Sequence, residues 1–296
     1  MNKCPFNSLD YLSGLSNIGI PESNKAGNLT ILRRRIPGTK LYDGIGPWPY
    51  FWVSHQDDIN ALHDDFSDLV SLTIITQPGL IPQRHIEDVS LFKQHFVYDP
   101  GLPTPKLSKR ANARLAKADK YGIFEQIFDF NEKLEIYSHY QILLKNRNLS
   151  DGFFDMPAQH FISLAKLENA LFFRVRNDYG IGAMACAVLI GDILQILHTI
   201  TTPFGLTWNA SYLLMHNLQI TARNYNIRML TGGMPTGGSN GLLIFKSRWS
   251  NALCPVYMLR IINDRNNYNR LSKGVSSSST FFPSYRTPQI EVQTQQ

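Results

Sequence analysis

Lys246 stands in the run Phe245-Lys246-Ser247-Arg248-Trp249, directly after a stretch with five glycines in eleven residues, Thr231 to Gly241. Backbone N–H groups in such a loop approach an anion or a peptide-like group closely. A fixed ammonium beside the loop can stabilise an oxyanion or hold a phosphate or carboxylate. The GxxxxGK[ST] spacing is absent, so this is not a phosphate-binding P-loop. Gly232, Gly233 and Gly241 are the candidate loop contacts to substrate.

A second group of candidates is basic. Lys106, Lys109, Arg110, Arg114, Lys117 and Lys120 recur at three- and four-residue spacings with Asp119 as the one nearby acid. On a helix they share a side, where they suit the phosphates of a nucleotide-linked substrate, a coenzyme or RNA, or make a solvated face. A third is Thr201 to Ser211, TTPFGLTWNAS, between a strand and a helix. Helix N-termini hold anions, and Thr207, Asn209 or Ser211 could cap this one. His95, His139, His198 and His216 show no paired metal spacing. His198 and Tyr98 are retained as candidate general bases. No metal site is indicated.

The elements that must position these residues follow from pattern. Hydrophobic residues make up 43% and charged residues 18% of the 296, enough apolar content for a real core. A net charge of +6 suits an anionic substrate without requiring one. Cys4, Cys186 and Cys254 form no CxxC pair, which fits a reducing compartment. The N-terminus has no signal-peptide pattern, and the apolar window Tyr179–Leu197 is broken by glycines and Asp192, so a cytoplasmic protein is the default.

Helical spacing covers 56–68, 107–121, 131–149, 156–166 and 209–224, with a short helix near 242–249. Strand patterns cover 67–76, 92–98, 170–176, 183–190, 193–200, 227–230 and 255–262. Turns at Asn177-Asp178-Tyr179-Gly180 and Gly191-Asp192 join three of them as hairpins. A meander followed by strand–helix–strand is a mixed α+β pattern, and the crevice beside the parallel strand is where ligands bind in such sheets.

Taken together, His95-Phe96-Val97-Tyr98-Asp99, Leu107-Ser108-Lys109-Arg110 and the ending Gly241-Leu242-Leu243-Ile244-Phe245-Lys246-Ser247-Arg248-Trp249-Ser250 resemble the FemAB/FemX-like branch of the GNAT acyltransferase fold, with its BioF2-like relatives. The resemblance covers about 170 residues from Leu91 to Ile262. It implies a mixed twisted sheet flanked by helices, with room for two tandem GNAT-like halves as in FemX. The implied layout is an irregular segment at 1–40, a partial GNAT-like half at 41–100, an acyltransferase domain at 101–264 and a disordered tail at 265–296.

The resemblance further implies direct attack of an acceptor amine on an acyl donor. Phe245 and Lys246 fall on the family's catalytic pair, with Lys246 at the oxyanion. Lys109 and Arg110 fall on a basic segment expected to meet a phosphate-bearing substrate. Acyl-CoA, such as acetyl-CoA, is the expected co-substrate, with Thr201, Gly205, Asn209 and Ser211 as its expected contacts, although 201–211 departs from the Q/RxxGxG/A signature. The expected acceptor is an amine of a sugar nucleotide or cell-envelope precursor. An aminoacyl-tRNA-dependent peptidoglycan-peptide ligase and a catalytically degenerate binding module are the alternatives.

Overall fold

The computed structural model describes residues 4–53, 59, 61–82, 88–149, 155–234, 240–275 and 281–287. The chain divides into two compact units, Met1–Asn17 with Lys93–Val256, and Ile18–Phe92 with Tyr257–Gln296.

The first unit holds a mixed sheet in the order β5-β10-β9-β8-β7-β6. Its strands are β5 (Val89–Tyr98, from Lys93 on), β6 (Ile123–Ile127), β7 (Ala170–Asn177), β8 (Gly180–Ile190), β9 (Ile193–Thr201) and β10 (Arg228–Gly233). The helices are α1 (Leu9–Ser13), α3 (Lys109–Tyr121), α4 (Phe130–Asn146), α5 (Ala158–Lys166), α6 (Pro203–Trp208), α7 (Ala210–Asn224) and α8 (Asn240–Arg248). The two expected hairpins form, with two-residue connections at 178–179 and 191–192.

Alternation along β8 sorts the core. Ala183, Ala185 and Ala187 pack with Trp208, Leu214 and Leu218 of α6 and α7. Small side chains on the strand let the helices come close. Meanwhile β10 pairs antiparallel with β5 and parallel with β9. The parallel register runs from Arg228↔Ile193 to Leu230↔Gln195, although β9 continues to Thr201 and β10 to Gly233. Among the described residues the two strands pair only at this one end, so the sheet opens beside the Thr231–Gly233 segment.

The connection from β9 departs from expectation. One helix from Asn209 was expected; instead α6 precedes α7, and Asn209 joins them in the left-handed region with φ 63°. Thr202 caps α6 by accepting the Gly205 N–H at 2.9 Å, and Asn209 is the N-cap residue of α7, without a side-chain hydrogen bond there. Pro203 in the first turn completes the start signal. Gly122 ends α3 at φ −131°, ordinary extended backbone. Glycine is required there because a Cβ would stand 2.6 Å from the Trp208 ring.

The second unit carries β1 (Ile20–Ser23), β2 (Thr30–Arg35), β3 (Tyr42–Ile45), β4 (Ser71–Ile75) and β11 (Ala252–Ile262, from Tyr257 on), in that sheet order. Leu29, Ile31, Leu62, Phe66, Leu72, Ile74 and Leu259 form its core. Residues 4–40, read as irregular, thus contain α1, β1 and β2. Their polar, glycine-containing turns masked short strands whose inward residues Ile31 and Leu32 are fully buried. The expected helix over 56–68 contributes α2 (Leu62–Asp65), and residues 54–58 and 60 lie outside the described set.

The tail, read as disordered, forms α9 (Arg265–Leu271). Farther along, Arg286 and Arg34 both pair with the fully buried carboxylate of Asp43. Two guanidiniums on one buried acid satisfy a group that would otherwise be costly to bury. Residues 276–280 and 288–296 lie outside the described set. Among the described residues no helix is long and apolar enough to cross a membrane.

The tightest backbone approach in the first unit is at Gly205, where a Cβ would lie 1.8 Å from the Gly182 carbonyl oxygen. Backbone cannot yield as a flexible side chain can, so Gly205→Ala must push α6 off β8. We expect a loss of at least about 2 kcal/mol, the scale of core overpacking, read by urea unfolding.

Candidate functional site

Helix α8 places Lys246. Phe245 and Trp249, four residues apart, lie on one side of the helix. Both rings meet Tyr212 of α7, with centroids 5.7 and 5.9 Å away. Trp249 is fully buried. This aromatic trio seats α8 on α7 and leaves Lys246 directed to β10. There its Nζ donates to the Gly233 carbonyl at 2.5 Å.

Gly232 and Gly233 have different reasons to be glycine. Gly232 has φ +89°, and a Cβ on it would stand 3.0 Å from the Lys246 Nζ. A Cβ on Gly233 would lie 2.6 Å from Cδ of Lys93, whose side chain runs across it from β5. His95, two residues along β5 and on the same face, is fully buried and accepts the Gly232 N–H through Nε2 at 2.8 Å. Its ring proton is therefore on Nδ1. Lys93, His95, Gly232, Gly233 and Lys246 converge on one point at the open end of the sheet.

The electrostatics there are unusual. Burial lowers Lys246 from the ordinary 10.5 to about 8, and the nearby Lys93 charge adds to the effect. Burial lowers Lys93 likewise to about 8. His95 is pushed well below the usual imidazole range by burial and then by the two lysines, so it stays neutral.

A second constellation lies on the other side of Tyr212. Its phenol oxygen accepts from Arg114 Nη1 of α3 at 2.9 Å and from Arg248 Nη1 of α8 at 2.8 Å. Among the described residues neither guanidinium makes an ion pair. Two forked cations around one phenol oxygen present N–H donors suited to a phosphate. Lys117 is engaged by the Thr207 carbonyl at 2.8 Å. Lys106, Lys109, Arg110 and Lys120 are exposed along α3 or just before it. The structure thus brings Arg114, rather than Lys109 or Arg110, to the motif helix.

Other expected residues lie elsewhere. Tyr98 is buried three positions along β5 from His95, with its hydroxyl 3.3 Å from Thr104 Oγ1. His198 is not brought to Lys246. Its Nε2 shares a proton with Nε2 of His160 at 2.9 Å, and Tyr140 and Phe161 pack on its ring. Burial and the neighbouring imidazole hold it well below the usual range, so it is a neutral packed pair.

Gly241 is exposed in the first turn of α8, and residues 235–239 of the glycine-rich loop lie outside the described set. Thr201 ends β9, and Gly205 gives its N–H to Thr202. Asn209 directs its N–H back into α6, while Ser211 is half-buried in the first turn of α7. Among the described residues no group of three His, Cys, Asp or Glu side chains assembles. Lys93, Tyr212 and Arg248 were not singled out from sequence. The i, i+2 spacing of Lys93 and His95 on a strand is the one signal that could have found the first.

The fold, a mixed sheet with flanking helices, is similar to that of several solved structures. The structure of FemX matches with a TM-score of 0.63 at 10% identity, over 88% of this chain and 93% of that one. L-PGS from Bacillus licheniformis matches with a TM-score of 0.56 at 14% identity, over 87% and 88%. The C-terminal domain of a putative lysylphosphatidylglycerol synthetase from Agrobacterium fabrum matches with a TM-score of 0.55 at 13% identity, over 86% and 87%. No family model matches the sequence, and no curated protein matches it either.

The two lowered lysines set a pH dependence of stability. Below about pH 8 both lysines are charged in the folded and unfolded states, and the fold bears the full cost of burying them. Between there and the ordinary 10.5 the unfolded chain holds protons the folded protein has shed, so their contribution rises with pH through this window. We expect Lys93→Met to flatten that rise relative to wild type, measured by urea unfolding between pH 7 and 10.

Proposed function

We propose that the protein is an N-acyltransferase. An acceptor amine attacks the carbonyl of an activated acyl donor directly, with no covalent enzyme intermediate. One observation carries this reading: α8, anchored through Phe245 and Trp249 on Tyr212, holds the Lys246 ammonium half-buried against the Gly233 carbonyl at the open end of the sheet. A carbonyl oxygen is already the partner of that ammonium, so the oxygen of a reacting acyl group fits the same place. A preorganised cation in a poorly hydrated site stabilises a developing oxyanion without reorganising.

The leading donor is an acyl-CoA, and the acceptor is an amine of a sugar nucleotide or cell-envelope precursor. Either would bring phosphates, for which Arg114, Arg248 and the Tyr212 hydroxyl form the best-suited group. Gly205 and Asn209 are less suited, since their N–H groups are engaged within α6. A second reading, an aminoacyl-tRNA-dependent ligase, is favoured by the exposed cations Lys106, Lys109, Arg110 and Lys120 along one side of the site. The likeness to FemX, to L-PGS and to a putative lysylphosphatidylglycerol synthetase is in keeping with it.

The purified chain, given acetyl-CoA, longer acyl-CoAs or charged tRNA with a panel of amines, should form amide from one donor class, which selects between the readings. On that reaction Lys246→Ala should lower kcat by about 10²-fold or more, as loss of an oxyanion donor does. Unchanged turnover would remove Lys246 from the mechanism. Arg248→Ala should raise the KM for the phosphate-bearing substrate by roughly 10-fold, the lower end for a charge-assisted hydrogen bond, with kcat little changed. Steady-state kinetics separate the two effects.

A further inference from the structure

The oxyanion role leaves half of the chemistry unassigned. An alkylamine is an ammonium at neutral pH and has no lone pair until it loses a proton. Lys93 is the side chain whose place fits that task. It enters from β5, opposite Lys246 on α8, and its carbon chain crosses Gly233, the residue whose carbonyl holds the Lys246 Nζ. Gly233 has no side chain, and a Cβ would stand 2.6 Å from Lys93 Cδ, so the glycine is what lets this lysine lie there.

We propose that Lys93 is the general base of the acyl transfer, the neutral partner of a lysine pair in which Lys246 keeps its proton. This inference rests on the acyltransfer reading above. Among the described residues, these titratable groups stand on the elements that border the pair. On β5 there is His95, whose Nε2 is taken by Gly232 and which is not free to act as the base. On α8 Arg248 turns to Tyr212. β10 has no titratable residue between Arg228 and Gly233, and the nearby part of β11 offers Cys254.

Two ammoniums flanking one Gly–Gly segment repel, so as pH rises through about 8 the pair gives up one proton and keeps the other. Burial lowers both lysines to about 8 and acts in the same direction. The second proton is the one shared between states, and the pair titrates as a unit.

The protons and bonds balance as follows. Neutral Lys93 Nζ takes one proton from the acceptor ammonium. The freed amine attacks the carbonyl carbon of a thioester or oxoester donor. The carbonyl π pair moves to oxygen and is met by the Lys246 ammonium. The tetrahedral adduct collapses and breaks the carbon–sulfur or carbon–oxygen bond. The leaving group takes its proton from protonated Lys93, which restores the base, and the second nitrogen proton passes to solvent. No oxidant or further co-reactant is needed.

The test compares wild type with Lys93→Arg, which keeps the charge but cannot become neutral, using the donor selected above. Two acceptors are used: an ordinary alkylamine, and a fluorinated alkylamine already neutral at pH 7. With the ordinary amine Lys93→Arg should lose at least about 10²-fold in kcat, the usual worth of a general base. The wild-type rise in rate near pH 8 should vanish. With the fluorinated amine the deficit should shrink to within several-fold. Equal losses with both acceptors, or an unchanged pH profile, overturn the proposal, because a purely structural lysine would hurt both alike.

A second measurement does not need turnover. Carbon-13 NMR of ¹³Cε-lysine-labelled protein should show a lysine titrating near 8, and Lys93→Met should move Lys246 up toward the ordinary 10.5. No such lysine, or no movement, also overturns it. An active wild type unaffected at Lys93 rejects the base alone, whereas a wild type inactive with every donor rejects the acyltransfer reading beneath it.

Discussion

Everything at the site depends on the seating of α8 against Tyr212. Phe245 and Trp249 bury their rings on that residue, and Arg248 adds a hydrogen bond to its hydroxyl. A nine-residue helix has little intrinsic stability. It is tertiary contact that holds this one and so aims Lys246 at Gly233. Tyr212 in turn is placed by α7, which packs on β8 only because Ala183, Ala185 and Ala187 are small. The position of one ammonium is thus traceable to alanines on β8, two places from β10 in the sheet.

The same packing creates the electrostatic character of the site. Lys93 and Lys246 approach one another because β5 and α8 both border Gly232 and Gly233, where no side chain intervenes. Burial disfavours each charge and proximity adds repulsion. The glycines at 232 and 233 serve as space for cations. At Gly205 and Gly122 the absence of a side chain serves helix packing instead.

Much of the fold was legible because its signals are local. The β7–β8–β9 meander declared itself through apolar runs separated by two-residue turns. The first forty residues and the tail were misread because their strands and helix are short, polar-flanked and stabilised by distant partners. Asp43 meeting Arg34 and Arg286 is one such partnership, between residues up to 243 positions apart. No window of sequence contains it.

At the site, sequence alone picked out the candidate residues: a lysine in a Phe-Lys-x-x-Trp ending beside glycines, and a basic helix. It also determined a mixed α+β chain through periodicity, which depends only on residues a few positions apart. Tertiary structure decided which of these residues meet. It set Arg114 and Arg248 around Tyr212, took His198 into a packed pair with His160, and brought Lys93 and His95 to Lys246 across about 150 residues of chain. Charge repulsion, burial and hydrogen-bond partnership are properties of distance in space, and β5, β10 and α8 become neighbours only when the sheet forms.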